Sequence, residues 1–533
     1  MLENMSIRRK LPIGIQDFEK LRKNNYLYVD KTGYVYEMTR EYWPYFLGRP
    51  RRFGKSLLLS TLKAYFLGKK EFFEGLAIAD LEKEWIEYPV FHIDMNVEGY
   101  LNLESLYSAL NTNLKKLEAK WGKDVSEESP SARLTGLIQR AYEKSGREVV
   151  VLIDEYDKPL LGLKDDLSDV DSDIRKVLKG FYGVLKSADE YLRFVFLTGV
   201  TKFSKVSVFS DLNHLIDISL DKKYAGICGI SETELTQCFE PEINALAVEL
   251  EMTYDETLEE LRKRYNGYHF AEKSEGMYNP FSLLKTFAAG KLRNYWFETG
   301  TPTFLVRMLK NMDYDVTALE KDVKIPARAV SEYLVGGNDP TPLLYQTGYL
   351  TIKDYDAKRD EYRLGFPNEE VKYGFLNELI PVYLTKVLNL SEFYVENFIR
   401  DLQTNNIEQF MIRLKAFFAG IPYELENKTE KHYQTVFYLL FKLMGQFVEA
   451  EPRFAAGRAD AVVITDDTVY VFEFKLTGKG SAETALQQID DKGYLIPFTA
   501  GGKRLVKIGA EFTPEERGLS RWLVNICPLA SNV

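Results

Sequence analysis

The chain has few of the residues that build metal clusters and covalent frameworks. Its 533 residues include only three cysteines and four histidines. Cys228, Cys238 and Cys527, and His92, His214, His269 and His432, show no metal-ligand spacing. A zinc site or a disulfide scaffold is therefore not expected, and a reducing cytoplasm fits best. No run of about 18 apolar residues is present, so no membrane span is expected. The opening stretch MLENMSIRRKLPIG has no apolar segment, so no secretory signal is expected. An excess of positive charge is missing too: 69 Lys and Arg stand against 79 Asp and Glu, a net charge of −10. That balance lends no support to a nucleic-acid partner but does not forbid one, because a local basic groove can sit on an acidic protein. No low-complexity linker separates the parts, so the domains are expected to be packed together. What remains, 45% hydrophobic and 28% charged residues, describes a folded protein too long for one core, with two to four domains as the expectation.

The stretch GRPRRFGKSLLL, 48–59, ends like a phosphate-binding loop. A Walker A motif is G-x-x-x-x-G-K-[ST]. Gly54, Lys55 and Ser56 fill its last three places, but Arg49 stands where the first glycine belongs and Gly48 comes one position early. The context is better than the spacing. YWPYFLG before the loop reads as a strand. After it, SLLLSTLKAYFLG places Leu58, Leu62, Tyr65 and Phe66 at helical spacing, with Gly68 as a C-cap. Strand, loop and helix in this order aim backbone N–H groups and a helix N-terminus at phosphate oxygens. Lys55 would reach the β- and γ-phosphates of ATP, and the Ser56 hydroxyl would bind Mg2+. The competing reading is a basic surface loop before an amphipathic helix.

A second segment, REVVVLIDEYDKPLL at 147–161, carries the aliphatic run Val149 to Ile153 followed at once by Asp154 and Glu155. A wholly apolar short run is the pattern of a strand buried on both faces, and ligands sit at the carboxyl ends of such strands. Asp154 is then placed to hold the Mg2+ shell, and Glu155 to orient and deprotonate the attacking water. YLRFVFLTGVTKFS, 191–204, is a further strand with Thr198 near its end, a candidate for contact with the γ-phosphate or the water. YPVFHIDMN adds another strand, and SARLTGLIQRAYEKSG and DIRKVLKGFYGVLKSADEY are the intervening helices. Alternating strands and helices argue for a parallel sheet.

These segments, with LPIGIQDFEKLRKNNYLYVDKT, RPRRFGKSL, LIDEYDKPL and LTGVTKFSKVSVFSDLNHL, resemble the bacterial AAA-ATPase-like family. The arginine-rich loop without a first glycine is that family's usual form. The resemblance continues through YNGYHF (265–270), YNPFSLL, YWFETGTPTFL and LLYQTGYLTI, and so covers nearly the whole chain. It implies an ATP-binding α/β core followed by a helical lid. Between about 215 and 385 the pattern is indeed more helical. Ser231 is an N-cap candidate, Tyr265 to Tyr268 read as a packed turn, and LLYQTGYLTIKDYDAKRDEYRLGFPNEEV reads as a hairpin. The loop arginines allow phosphate contact in cis, a finger into a neighbouring copy in a homo-oligomer, or simple solvation. Arg52 is read as a phosphate contact, and Arg49 as structural or solvated.

The C-terminal region carries different chemistry. GRADAVVITDDTVYVFEFKL, 457–476, divides into a strand, a DD turn and a returning strand. Asp460 begins the first strand. Glu473 and Lys475, two apart, share a face while Phe474 points away. Two adjacent carboxylates attract a divalent cation, and a nearby lysine positions water and offsets phosphate charge. The apolar setting of VYVFEFKL strengthens this, because unpaired charges in a buried strand cost several kcal/mol. The pattern, with EKHYQTVFYLLFKLMG and ALQQIDDKGY, resembles the PD-(D/E)XK nuclease superfamily. By that resemblance Asp460, Glu473 and Lys475 are the core triad. Glu430 is the upstream acid, with Glu451 as competitor, and Gln488 with Tyr494 belongs to the following helix. Ala459-Asp460 stands for the superfamily's Pro-Asp.

The expected fold is α/β: a P-loop NTPase parallel-sheet domain over 1–215, a mostly helical lid and connector over 216–390, and a smaller α/β restriction-endonuclease-like domain over 391–533. A helix SEFYVENFIRDLQTNNIEQFMIRLKAFFAG is expected to join the last two. The expected function is ATP hydrolysis with Mg2+, coupled to a Mg2+-dependent nuclease acting on nucleic acid, with DNA the first expectation. The alternative is a nucleotide-gated switch or a binding module for nucleic acid or protein, with an inactive nuclease-like domain.

Overall fold

A computed structural model describes residues 9–41, 43–96, 100, 102–161, 169–202, 215–297, 309, 319, 323–330, 339–384, 391–419, 430–445, 449–452, 460–499, 502–513 and 518–527. The chain divides into two compact units, Met1–Thr299 with Glu320–Val371, and Gly300–Leu319 with Lys372–Val533.

In the first unit, strands β1 (Pro44–Gly48), β2 (Val90–Asp94), β3 (Val149–Asp154), β4 (Leu192–Gly199) and β5 (Ile216–Asp217) form one sheet in the order β2-β3-β4-β1-β5. Every described pairing in it is parallel. All six residues of β3 are buried. Val149, Val151 and Ile153 pack with Leu110, Leu137 and Leu178 from the helices Leu103–Trp121, Pro130–Ser145 and Asp169–Ser187. On β4, Phe194 packs against Phe66 of the helix Lys55–Phe66, with ring centroids 5.0 Å apart. Helices on both faces explain why these strands read as unbroken apolar runs. The register aligns Leu47 with Thr198, Gly48 with Gly199 and Ile153 with Leu197. The phosphate-loop strand and the acidic strand therefore flank β4, and their carboxyl ends are level.

Further along the first unit lie the helices Glu232–Cys238, Glu240–Leu250, Tyr254–Tyr265 and Pro280–Ala289. Ser231 and Thr253 begin two of them with capping boxes closed by Glu234 and Glu256, each satisfying helix N–H groups that would otherwise lack acceptors. The expected packed turn is present: Tyr265 and Tyr268 are buried. The expected hairpin is β7 (Thr351–Asp356) with β8 (Glu361–Gly365), joined by β6 (Val323–Pro326), which the sequence reading lacked.

The second unit holds a mixed sheet in the order β13-β12-β11-β10-β9, from β9 (Glu449–Pro452), β10 (Ala461–Ile464), β11 (Thr468–Leu476), β12 (Arg504–Thr513) and β13 (Gly518–Cys527). Alternation along β11 sorts its side chains. Phe472 and Phe474 pack on Phe441 and Phe437 at 5.2 and 4.2 Å between ring centroids. Val469 and Val471 face Ile489 and Leu486 on the other side, and Glu473 and Lys475 continue that row. One expectation is corrected. The segment from Ser391 is two helices, Ser391–Gln403 and Ile407–Ala419, not one. Asn405 between them has φ 56°, a left-handed conformation that asparagine tolerates and a continuous helix does not.

Candidate active sites

The loop after β1 opens the helix Lys55–Phe66, with Gly54 at its N-cap position. Arg49 is 1% exposed. Its guanidinium donates to Gly48 O at 2.9 Å, Ser219 O at 2.7 Å and Tyr224 O at 3.1 Å, and lies 4.2 Å from the Phe270 ring centroid. It is structural and not solvated. Arg51 and Arg52 are exposed, and the Arg52 guanidinium lies 4.6 Å from the Phe281 ring centroid. Lys55 is buried, and its Nζ donates to Arg49 O at 2.8 Å and Pro50 O at 3.1 Å. Burial pulls its pKa below the usual lysine value, against the opposing fields of Asp154 and Glu155.

Asp154 closes β3. Its Oδ1 accepts from the Thr198 hydroxyl at 2.5 Å and from the Glu155 N–H at 3.1 Å. The bond to Thr198 joins β3 to β4 at the level where β1 delivers the loop. Glu155 has φ 50°, and its Oε2 lies 3.4 Å from Lys158 Nζ, which also donates to Asn96 Oδ1 at 3.0 Å. A cavity of about 340 Å³ adjoins the loop, within the range of small-molecule sites. Arg52, Gly54, Lys55, Ser56 and Glu155 are in its polar lining, and Tyr28, Ile227, Phe239 and Phe281 in its apolar lining. Asp154 and Thr198 are buried and are not among the lining residues. Sequence reasoning missed Asn96, Lys158 and the buried Asp157. The only signal for Asp157 was a third carboxylate within DEYD.

In the second unit, Asp460 precedes β10, and its Oδ2 accepts from the Phe474 N–H at 2.8 Å. Burial and the neighbouring Glu473 push the Asp460 pKa up to about 7, with the Phe474 N–H and Lys475 opposing. Glu473 is 3% exposed. Its Oε1 accepts from Lys475 Nζ at 2.8 Å and Gln488 Nε2 at 2.5 Å. Lys475 Nζ also donates to Gln488 Oε1 at 2.7 Å, and Gln488 Nε2 approaches the Tyr494 hydroxyl at 3.3 Å. Glu473 Oε2 is buried with no hydrogen-bond partner among the described residues. Gln488 reaches this point because Gly509, aligned with Glu473 across β11 and β12, has no side chain. A Cβ there would stand 2.3 Å from Ala482 O in the helix Ala482–Asp491.

The orphaned Glu473 oxygen tests the fit of a divalent cation. A buried carboxylate oxygen without a donor is costly, and the Asp460 carboxyl beside it is pushed up by burial and by the Glu473 charge, which the Phe474 N–H and Lys475 only partly offset. Both deficits are met by a cation between Asp460 and Glu473. Glu430 opens the helix Glu430–Met444 and Glu451 lies in β9, but their side chains are outside the described residues, as are Ala459, His214 and the segment 203–214. Among the described residues no three His, Cys, Asp or Glu side chains form a metal-holding group.

Residues 12–209 match the family described as predicted AAA-ATPase, and residues 428–522 match the PD-(D/E)XK nuclease superfamily. The chain is 37% identical over 527 residues to the uncharacterized protein in the vnfD 5′ region of Azotobacter chroococcum mcd 1, covering 97% of this chain and 99% of that one. The chain belongs to the AAA-ATPase-like family with a C-terminal PD-(D/E)XK nuclease superfamily domain. In this AAA-ATPase-like protein Arg52, Gly54, Lys55, Ser56, Asp154, Glu155 and Thr198 fall inside the first matched region, whereas Ile227, Phe239 and Phe281 of the cavity lie beyond it, and Asp460, Glu473, Lys475 and Gln488 fall inside the second. Among the described residues no helix is long and apolar enough to cross a membrane.

Proposed function

We propose that the protein hydrolyses ATP with Mg2+ at the loop site, and that its nucleotide state governs a Mg2+-dependent phosphodiesterase at Asp460, Glu473 and Lys475 acting on nucleic acid, DNA first. Residues 1–215 serve as the ATPase core, 216–390 as lid and connector, and 391–533 as the nuclease-like domain. Gly54 N–H, Lys55 and Arg52 bind phosphates. Ser56 and Asp154 hold the Mg2+ of the nucleotide, Glu155 orients and deprotonates water, and Thr198 fixes Asp154. In the nuclease-like domain Asp460 and Glu473 hold Mg2+, Lys475 positions water against the phosphodiester, and Gln488 steadies Glu473 and Lys475. Glu430 is the upstream acid. Bound there, Mg2+ supplies charge for the phosphoryl oxygen and a more acidic water. The observation that carries this reading is the buried Glu473 Oε2, without a hydrogen-bond partner among the described residues, beside the carboxyl of Asp460.

The test is one set of incubations of the full chain with Mg2+, single- and double-stranded DNA or RNA, and with or without ATP. Lys55→Ala is expected to abolish ATP hydrolysis. Asp460→Ala is expected to abolish cleavage and leave ATP hydrolysis intact. Absence of cleavage on every substrate and metal refutes the nuclease half. One observation favours the second reading, a nucleotide-gated binding module: Lys475 and Gln488 already occupy Glu473 Oε1. Under that reading the wild type binds DNA, retains ATP or ADP tightly and cuts nothing.

A further inference from the structure

Glu155 has φ 50°, in the left-handed region that L-residues other than glycine rarely adopt. Such strain persists where surrounding bonds over-determine it. Here the bonds run as a seam between the turn after β3 and the end of β4. The Tyr156 N–H donates to Thr198 O at 3.0 Å, and the Tyr156 hydroxyl donates to Thr201 O at 2.7 Å. Asp157 is 1% exposed. Its Oδ2 accepts from the Val200 N–H at 3.0 Å, the Thr201 N–H at 2.7 Å and the Thr201 hydroxyl at 2.8 Å. Gly199 lets the two segments close: a Cβ there would stand 2.6 Å from Tyr156 Cε1 and 2.8 Å from Asp157 Oδ1.

An ordinary turn does not need a buried carboxylate. Among the described residues no ion pair closes on Asp157; burial pushes its pKa up, with the Thr201 donors, the Lys55 charge and the Val200 N–H opposing, and burying a carboxylate in this way is costly. Three donors on one oxygen recover part of that cost, and they all come from the backbone and side chain that follow Thr198. The same turn sends Glu155 out of the line of β3 and into the lining of the nucleotide cavity, beside Lys55 and Ser56. We propose that Asp157 is a positioning residue for ATP hydrolysis: it clips the turn after β3 to the end of β4, and so holds Glu155 in the conformation that presents its carboxylate to the cavity. This rests on the assignment of Glu155 as the group that acts on water.

The test compares Mg2+–ADP affinity, by calorimetry, with ATP turnover in the full chain. Asp157→Ala is expected to bind Mg2+–ADP within about 3-fold of wild type while kcat falls about 100-fold, the loss that a misplacement of about 1 Å produces. Asp157→Asn, whose amide oxygen accepts the same three bonds, is expected to restore most of kcat. Thr201→Val removes only the hydroxyl bond and lowers kcat about 10-fold, the lower end of a charged hydrogen bond's worth, which keeps the test open where Asp157→Ala does not fold. Glu155→Gln is the control. If it turns over like wild type, the role of Glu155 itself fails and the proposal falls with it. If Glu155→Gln is inactive while Asp157→Ala or Thr201→Val keeps wild-type kcat, the positioning role alone is refuted. Equal losses of affinity and turnover that Asn does not rescue also refute it.

Discussion

A pH titration of metal affinity probes the nuclease-like site most directly. Asp460 is pushed up to about 7, first by burial and then by Glu473. Against an unperturbed aspartate near 3.9, holding that carboxylate ionised above neutrality costs on the order of 4 kcal/mol at about 1.4 kcal/mol per pH unit. The sign follows from a folded pKa above the unfolded one. Stability from the bound proton is full below about pH 4 and is lost as pH rises through about 7. A divalent cation binds the ionised form, so it competes with that proton. Affinity should therefore rise about tenfold per pH unit up to about pH 7 and then level off. The assay is Mn2+ titration of the nucleotide-free full chain from about pH 5.5 to about pH 8.5, with Asp460→Ala as the background. Glu473→Gln removes the like charge, so its break in the pH profile should move to lower pH while overall affinity drops. A Kd independent of pH refutes the reasoning, as does a profile unchanged in Asp460→Ala.

Gly509→Val is expected to lower metal affinity and DNA cleavage about 10- to 100-fold through displaced support of Glu473 while leaving ATP turnover at the wild-type rate; parallel assays of both activities check it. A chain cut to residues 1–215 is expected to lose Mg2+–ADP binding in calorimetry, because Tyr224, Phe270 and Trp296, which hold the loop, are removed; tight binding by that fragment refutes it.

The parts of the fold legible in the sequence are those where one local rule acts alone. The run Val149 to Ile153 is apolar because both faces of β3 are covered, and Ser231 with Glu234 spells out a capping box. Asp460, Glu473 and Lys475 come together because a short hairpin fixes their register, and register is arithmetic on residue numbers. What the sequence could not show depends on partners distant along the chain. Arg49 reads as structural or solvated, and nothing local decides between the two, because its acceptors Ser219 and Tyr224 lie some 170 residues away. Asp157 reads as one more acid in DEYD, and only the end of β4 reveals what it holds. The break at Asn405 was obscured because both flanks have strong helical spacing.

These distant contacts explain how the loop after β1 keeps its shape without the first glycine of a Walker A motif. That glycine ordinarily gives the loop freedom to bend. Here the bend is imposed from outside. The Arg49 guanidinium gathers the carbonyls of Gly48, Ser219 and Tyr224. Phe53 packs edge-on against Tyr268 and Phe270 at 4.7 and 5.2 Å between ring centroids. The Trp296 indole N–H donates to Arg51 O at 3.4 Å, and Gly229 N–H donates to Phe53 O at 3.2 Å. The loop is thus pinned at Arg49, Arg51 and Phe53 by chain segments from 219 to 296. Arginine at position 49 is then no defect of the motif. A glycine there would supply flexibility that these contacts remove, and would leave the part-buried carbonyls of Gly48 and Ser219 and the buried carbonyl of Tyr224 without this donor, the buried one at about 1–3 kcal/mol. The same pins make the shape of the loop, and with it the seat of Lys55, sensitive to any movement of the helical region that supplies them.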